Sequence, residues 1–179
     1  MNVQTQYQHA LAFAAKKHEV TNERVKGTDL PYIVHVCNVA MEILIAAPES
    51  VEFNLPFAIQ VALLHDTIED TDTTPEEIAR LFGNDIAAGV IALTKNEALP
   101  KEEQIADSVK RIKLLAKEVW AVKLADRITN LMPPPGDWDK EKIQYYYNDS
   151  QMILDELKDG NTYLANRLHE KIMEYGKYL

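Results

Sequence analysis

The chain has few of the residues that define several common protein classes. Its 179 residues include one cysteine, Cys37, so no disulfide can form within the chain. Six glycines and eight prolines are too few for a collagen-like or low-complexity protein. No run of about 18 apolar residues occurs, and MNVQTQYQHA lacks the apolar core of a secretory signal. We therefore expect a cytoplasmic protein without a membrane partner.

Positive charge is also scarce, because 19 Lys and Arg residues stand against 28 Asp and Glu residues, a formal net charge of -9. Non-specific binding to nucleic acid or anionic membranes needs a broad positive potential, so we expect neither as a partner. A small phosphorylated molecule is compatible with this charge, since a divalent metal and a few local cations can hold phosphate. The sequence does not indicate an oligomeric state.

Apolar residues, by contrast, make up 46% of the chain and recur at helical spacing nearly throughout. We predict an all-α protein, with a single domain of roughly eight helices over residues 1–179. Thr74 and Pro75 are typical of an N-cap and a first helical position. No segment shows the alternation of a strand. The first predicted helix ends at about residue 18. The others cover about 33–47, 55–65, 75–83, 84–93, 101–116, 118–131, 139–158 and 161–177.

The segment LLHDTIEDTDTT, residues 63–74, contains one imidazole and several carboxylates directly after an apolar run. If a helix continued through it, His65, Asp66, Glu69 and Asp70 would lie within an arc of about 140°. Three carboxylates that close repel one another unless a cation compensates them, and a divalent metal is the simplest compensation. The alternative is an ordinary solvated helix end.

Two further residues, far from this segment in sequence, have the character of metal ligands. His35 lies in the apolar stretch PYIVHVCNVA, and Asp126 lies in VWAVKLADRITNLM, where burying a carboxylate is costly without a cation or strong donors. A histidine such as His35, taken alone, is more often a core residue than a metal ligand. Asp126 alone is equally explained by a salt bridge to Lys123 or Arg127.

A histidine, a His-Asp pair and a distant aspartate in this order resemble the HD superfamily of metal phosphohydrolases. The stretches RVKGTDLPYIVH, VALLHDTIEDTDTT, FGNDIAAGVIALTK, LPK and VKLADRITNL are similar to hydrolase domains of the RelA/SpoT type. The likeness is to the free-standing small alarmone hydrolases, including the metazoan type, and it extends from about Tyr7 to Ile172.

The resemblance implies an enzyme that removes the 3′-pyrophosphate from guanosine tetra- or pentaphosphate to give GDP or GTP and pyrophosphate. It also implies one divalent metal, usually Mn²⁺, with Fe²⁺, Zn²⁺ or Mg²⁺ as alternatives. The ligands would be His35, His65, Asp66 and Asp126. Glu69 and Asp70 would act as the paired catalytic acids, and Arg24, Lys26 and Asn130 would bind the nucleotide.

The chain departs from the family pattern around the expected nucleotide pocket. Val25 separates Arg24 from Lys26, and Met132 stands where the family usually has a basic residue. Two other hypotheses therefore stay open. One is an HD phosphohydrolase acting on another nucleotide or on a nicotinamide dinucleotide phosphate. The other is a metal-binding regulatory module without turnover, which the intact pair of Glu69 and Asp70 disfavours.

Overall fold

Helices supply the regular structure of the computed structural model, which describes residues 2–179. The α-helices are α1 (Val3–Thr21), α2 (Ile33–Ala46), α3 (Leu55–Leu64), α4 (Thr67–Asp70), α5 (Pro75–Phe82), α6 (Asn84–Leu93), α7 (Lys101–Ile112), α8 (Lys117–Asn130), α9 (Lys140–Leu157) and α10 (Thr162–Tyr175). Short 3₁₀ turns follow α2, α9 and α10. Over residues 2–179 the only strand-like pairing is an isolated bridge between Arg24 and Pro31. The all-α class is thus confirmed, while Met1 of the predicted 1–179 domain lies outside the described residues.

The structure corrects the end of one predicted helix and shows a break where we considered a continuing helix. The helix expected over 101–116 ends at Ile112, and the chain turns before α8 begins. The helix predicted over 55–65 ends at Leu64 and does not continue into 65–70, and the Thr67 hydroxyl donates to the Leu64 carbonyl at 2.7 Å. At Asp66 the backbone has φ -102° and ψ 0°, so a turn separates α3 from the single turn of α4.

Side-chain caps fix where several helices begin. The Thr74 hydroxyl accepts a hydrogen bond from the Glu77 amide at 3.2 Å and Pro75 is the first residue of α5, as predicted. Asn54, Asp139 and Asn161 cap α3, α9 and α10 in the same way. Each side chain satisfies an amide that the first helical turn leaves without a partner.

Helices α3 and α8 form the middle of the core. Residues 58–64 of α3 are all buried, as are residues 121–128 of α8. A helix buried on every side must be packed against neighbours all round, and α2, α3, α9 and α10 all contact α8. This packing brings α2, the end of α3 and the middle of α8 together in the interior.

None of the helices within 2–179 combines the length and apolarity needed to cross a membrane.

The turn that precedes α10 packs closely against α8 at Gly160, and this contact gives a prediction about stability. A Cβ atom on Gly160 would lie 2.5 Å from the Cβ of Trp120 and 3.1 Å from the amide nitrogen of Ala121. Gly160→Ala should therefore lower the free energy of unfolding by about 1–3 kcal/mol or more, measured by urea denaturation. Gly136→Ala is the control, since a Cβ atom on Gly136 would have no atom of a non-adjacent residue among 2–179 within 4 Å. Equal stability of the two variants would contradict the close packing.

Candidate metal centre

Four side chains from three segments meet in the interior. His35 comes from α2, His65 and Asp66 from the turn after α3, and Asp126 from α8. The Nε2 atom of His35 lies 3.4 Å from Nε2 of His65 and 3.4 Å from Oδ1 of Asp126. One donor atom from each of the four residues lies within 4.8 Å of the other three. The structure thus brings together the four residues that the sequence suggested as metal ligands.

Hydrogen bonds behind the two histidines orient their rings. Nδ1 of His65 lies 2.8 Å from the Ala62 carbonyl, so it carries the proton and donates it there. The Thr129 hydroxyl donates to the Asp126 carbonyl at 2.9 Å and can therefore accept from Nδ1 of His35 at 3.2 Å. With Nδ1 protonated in both rings, both Nε2 atoms would present lone pairs to a metal bound between them. Two nitrogen lone pairs this close repel one another, and a cation bound between the two Nε2 atoms would remove that repulsion.

The spacing of the donors fits one divalent metal. Ligands at about 2.0–2.2 Å from a common ion are about 3–3.6 Å apart from their neighbours. The separations that involve a histidine nitrogen run from 2.8 Å for His65 and Asp66 to 3.7 Å for His35 and Asp66. Two imidazoles and two carboxylates suit a transition metal better than calcium. Within residues 2–179, no other group of three or more His, Cys, Asp or Glu donors lies this close together.

The charges of the cluster depend on one another. Burial works against a charge on His65, but Asp66 and Asp126 outweigh it and raise the pKa of His65 well above its usual value. Burial likewise opposes ionisation of Asp126, yet Lys123 and the two histidines hold its pKa well below the usual range. Nζ of Lys123 donates to Oδ2 of Asp126 at 3.0 Å. The salt bridge between Lys123 and Asp126, which we considered as an alternative to metal binding, is therefore present together with the His/Asp cluster.

Glu69 and Asp70, the predicted acids, line the same cavity in different surroundings. Both oxygens of Glu69 accept from Lys95, one from its amide at 2.8 Å and the other from its ammonium group. Burial, together with the charges of Asp66 and Glu23, raises the pKa of Asp70 to about 8. Glu69 is thus tied to a cation, whereas Asp70 is surrounded mainly by negative charge.

The predicted nucleotide-binding residues lie around the same cavity, which has a volume of about 300 Å³. Arg24 donates to the Asn22 side chain at 2.7 Å, and the Lys26 ammonium lies 5.1 Å from the centroid of the Trp138 ring. Asn130 donates to Oδ1 of Asp126, so it supports the cluster as well as lining the cavity. The structure brings all three to one opening.

Several cavity residues were not assigned from the sequence. The Tyr32 hydroxyl donates to Asp66 and Lys95 holds Glu69, but neither contact has a signal in the sequence, because the partners are far apart along the chain. A signal did exist in α8, where polar residues recur at positions 123, 126, 127 and 130, the spacing of one helical face. The further polar residues that line the cavity are Glu23, Tyr32, Lys95, Lys123, Arg127 and Tyr146.

The model of the HD domain family matches residues 10–169. The chain belongs to the HD domain family. In that family, a His/Asp group such as the one described here indicates a divalent metal, and membership agrees with the all-helical architecture.

Similarity to characterised members of the family covers almost the whole chain. Guanosine-3′,5′-bis(diphosphate) 3′-pyrophosphohydrolase MESH1 of Danio rerio is 35% identical over 169 residues, which is 92% of this chain and 91% of the relative. The protein of the same name from Homo sapiens is 32% identical over 172 residues, 93% of each chain. Among solved structures, a metazoan ortholog of SpoT that hydrolyses ppGpp superposes with a TM-score of 0.81 at 28% identity and 96% coverage of each chain.

The hydrogen bond behind His35 can be tested by changing its partner. Thr129→Val keeps the side-chain shape but removes the hydroxyl that accepts from Nδ1 of His35. Metal affinity should fall by about ten- to hundred-fold, since the ring loses its fixed orientation, as measured by calorimetric titration with Mn²⁺. Thr21→Val is the matched control, because that hydroxyl donates only to the His18 carbonyl in α1. Unchanged affinity in the Thr129 variant would contradict the assigned orientation.

Proposed function

We propose that this chain is a metal-dependent hydrolase that removes the 3′-pyrophosphate from guanosine tetra- or pentaphosphate. The observation that carries the proposal is similarity to pyrophosphohydrolases of that name over more than nine tenths of both chains. The cavity supports it, because the His/Asp cluster lies beside cationic side chains that suit a phosphorylated nucleotide. A purely regulatory role would not require two additional carboxylates at the same opening.

We also propose Mn²⁺ as the metal, held by His35, His65, Asp66 and Asp126. The mixed imidazole and carboxylate donors suit Mn²⁺, although Fe²⁺ and Zn²⁺ prefer similar sets. When bound, such a metal activates water and neutralises the phosphate oxygens that repel an attacking nucleophile. The chain's own contribution is a rigid, buried donor set whose rings are fixed from behind by Ala62 and Thr129.

The two acids take different parts in the proposed reaction. Because both oxygens of Glu69 already accept from Lys95, Glu69 is placed to fix that cation at the cavity wall. Among residues 2–179, no Lys, Arg or His lies within ion-pair distance of Asp70, which leaves its carboxyl group available to exchange a proton. We assign Asp70 to proton transfer as the bond from the ribose 3′ oxygen to phosphorus breaks, with water adding to phosphorus.

Arg24, Lys26 and Asn130 are proposed to hold the nucleotide. A guanidinium at Arg24 can contact phosphate oxygens or stack on a purine. The Lys26 ammonium lies over aromatic rings and can move to an anionic group at the cavity mouth. Asn130 has its amide group directed to the metal cluster, so it would act closest to the reacting phosphate.

The activity itself gives the first functional prediction. With Mn²⁺, the wild type should convert guanosine tetraphosphate to GDP and pyrophosphate, measured by chromatography of the products. Asp126→Asn should lose both metal, measured by elemental analysis, and turnover, since it replaces a charged ligand by a neutral group. Asp155→Asn, on the exposed side of α9, should retain both. Turnover of other nucleotides, with none of guanosine tetraphosphate, would favour the broader HD phosphohydrolase hypothesis.

The roles of the acids give a second functional prediction. Asp70→Asn should lower kcat by about 10²–10⁴-fold while metal content stays unchanged, because proton transfer is lost and the ligands are not. Glu69→Gln should act chiefly by releasing Lys95 from its fixed position at the cavity wall. Because Lys95 could then no longer be held toward a bound phosphate, this variant should raise KM as well as lower kcat. Glu76→Gln, an exposed carboxylate in α5, should behave as wild type. Loss of metal in Asp70→Asn would instead make Asp70 a ligand.

A further inference from the structure

Four polar side chains form one stripe along the buried helix α8. Lys123, Asp126, Arg127 and Asn130 are spaced so that they share a face. Lys123 and Asn130 both donate to the Asp126 carboxylate, so three of the four belong to one network. Arg127 makes no hydrogen bond to that network, although it lies between its members.

Arg127 is a buried cation whose hydrogen-bonding groups are largely unused. The residue is 5% exposed, and its Nε and Nη1 atoms are buried without a hydrogen-bond partner in residues 2–179. The guanidinium carbon of Arg127 lies 4.4 Å from the centroid of the Tyr146 ring. The ring packs against the flat face of the guanidinium and does not accept its N–H groups in hydrogen bonds. Asp149 of α9 and Arg127 influence one another electrostatically, yet neither takes part in an ion pair within residues 2–179. A guanidinium stays charged in proteins, so this charge lacks a direct counterion.

Two lysines line the same cavity as Arg127 and cannot compensate its charge. Arg127 lines the cavity beside the metal cluster, together with Lys26 and Lys95. Burial lowers the pKa of Lys26, and the positive charges of Lys95 and Arg127 lower it further. Lys95 is already paired with Glu69. Acidic residues also line the cavity, but none of those within residues 2–179 accepts a hydrogen bond from Arg127, so an anion inside the cavity would supply the counterion that this guanidinium lacks.

We propose that Arg127 anchors the second phosphate of a pyrophosphate group whose first phosphate lies at the His/Asp cluster. Arg127 and the cluster line the same cavity, so a short anion inside it can reach both the cluster and the guanidinium. The planar fork of a guanidinium matches two oxygens of one phosphate. The identity of the substrate rests on the proposed function, but binding of a diphosphate anion does not. Arg127 would thus distinguish a pyrophosphate ester from a simple phosphate ester.

Calorimetric titration with inorganic pyrophosphate and with inorganic phosphate, at constant free Mn²⁺, tests this assignment. Arg127→Met should bind pyrophosphate about ten- to hundred-fold more weakly, the usual effect of losing a charge-assisted hydrogen bond. Phosphate affinity should change less than about threefold, and metal content should not change. Arg80→Met, an exposed arginine of α5, is the matched control. Without anions, Arg127→Met should melt at the same temperature as wild type or higher, since removing an unpaired buried charge is not destabilising.

Arg127→Gln provides the same test if the methionine variant does not fold, because it keeps a polar side chain without the charge. Pyrophosphate affinity within about twofold of wild type in the folded variants would overturn the proposal. Equal weakening of phosphate and pyrophosphate would also overturn it, since Arg127 would then hold the first phosphate. If wild type does not hydrolyse guanosine tetraphosphate but Arg127→Met still loses pyrophosphate affinity selectively, the proposed function fails and the anchor stands.

Discussion

The carboxylate of Asp126 is buried in the middle of α8, and much of the surrounding structure serves to keep it charged there. One oxygen accepts from the Lys123 ammonium, while the other lies beside the two histidines and accepts from Asn130. A buried carboxylate without such partners would take up a proton instead. Because these partners come from α2, α8 and the end of α3, the packing of the three segments and the electrostatics of the site depend on the same contacts.

The parts of this arrangement that follow from local sequence were predicted well. Apolar spacing gave the helices, and the Thr74-Pro75 start of α5 was correct because a cap involves residues only three apart. Buried apolar context also singled out His35 and Asp126 as unusual positions. The common location of these residues with His65 and Asp66 followed from a family resemblance rather than from periodicity, since periodicity does not relate helices that are distant in sequence.

Other parts depend on contacts that no local pattern encodes. The end of α3 at Leu64 coincides with a hydrogen bond from the Thr67 hydroxyl, and a bond of this kind is as compatible with a continuing helix as with a break. The pairing of Glu69 with Lys95 requires the loop after α6 to return to α4. The sequence also suggested Lys123 and Arg127 as equivalent partners for Asp126. Packing made them different, because Lys123 points to the carboxylate and Arg127 lies against Tyr146.

The turn between α3 and α4 has a consequence for how the protein gains and loses its metal. Consecutive residues on a helix point about 100° apart, whereas the turn lets His65 and Asp66 direct donor atoms to the same place, 2.8 Å from each other. They would therefore act as a chelating pair, joined to ligands on two separate helices. A metal held in this way binds the folded chain and not the unfolded one, so it acts as a crosslink whose strength depends on metal concentration. Chelators should accordingly loosen the packing of α2, α3 and α8, and not only stop turnover.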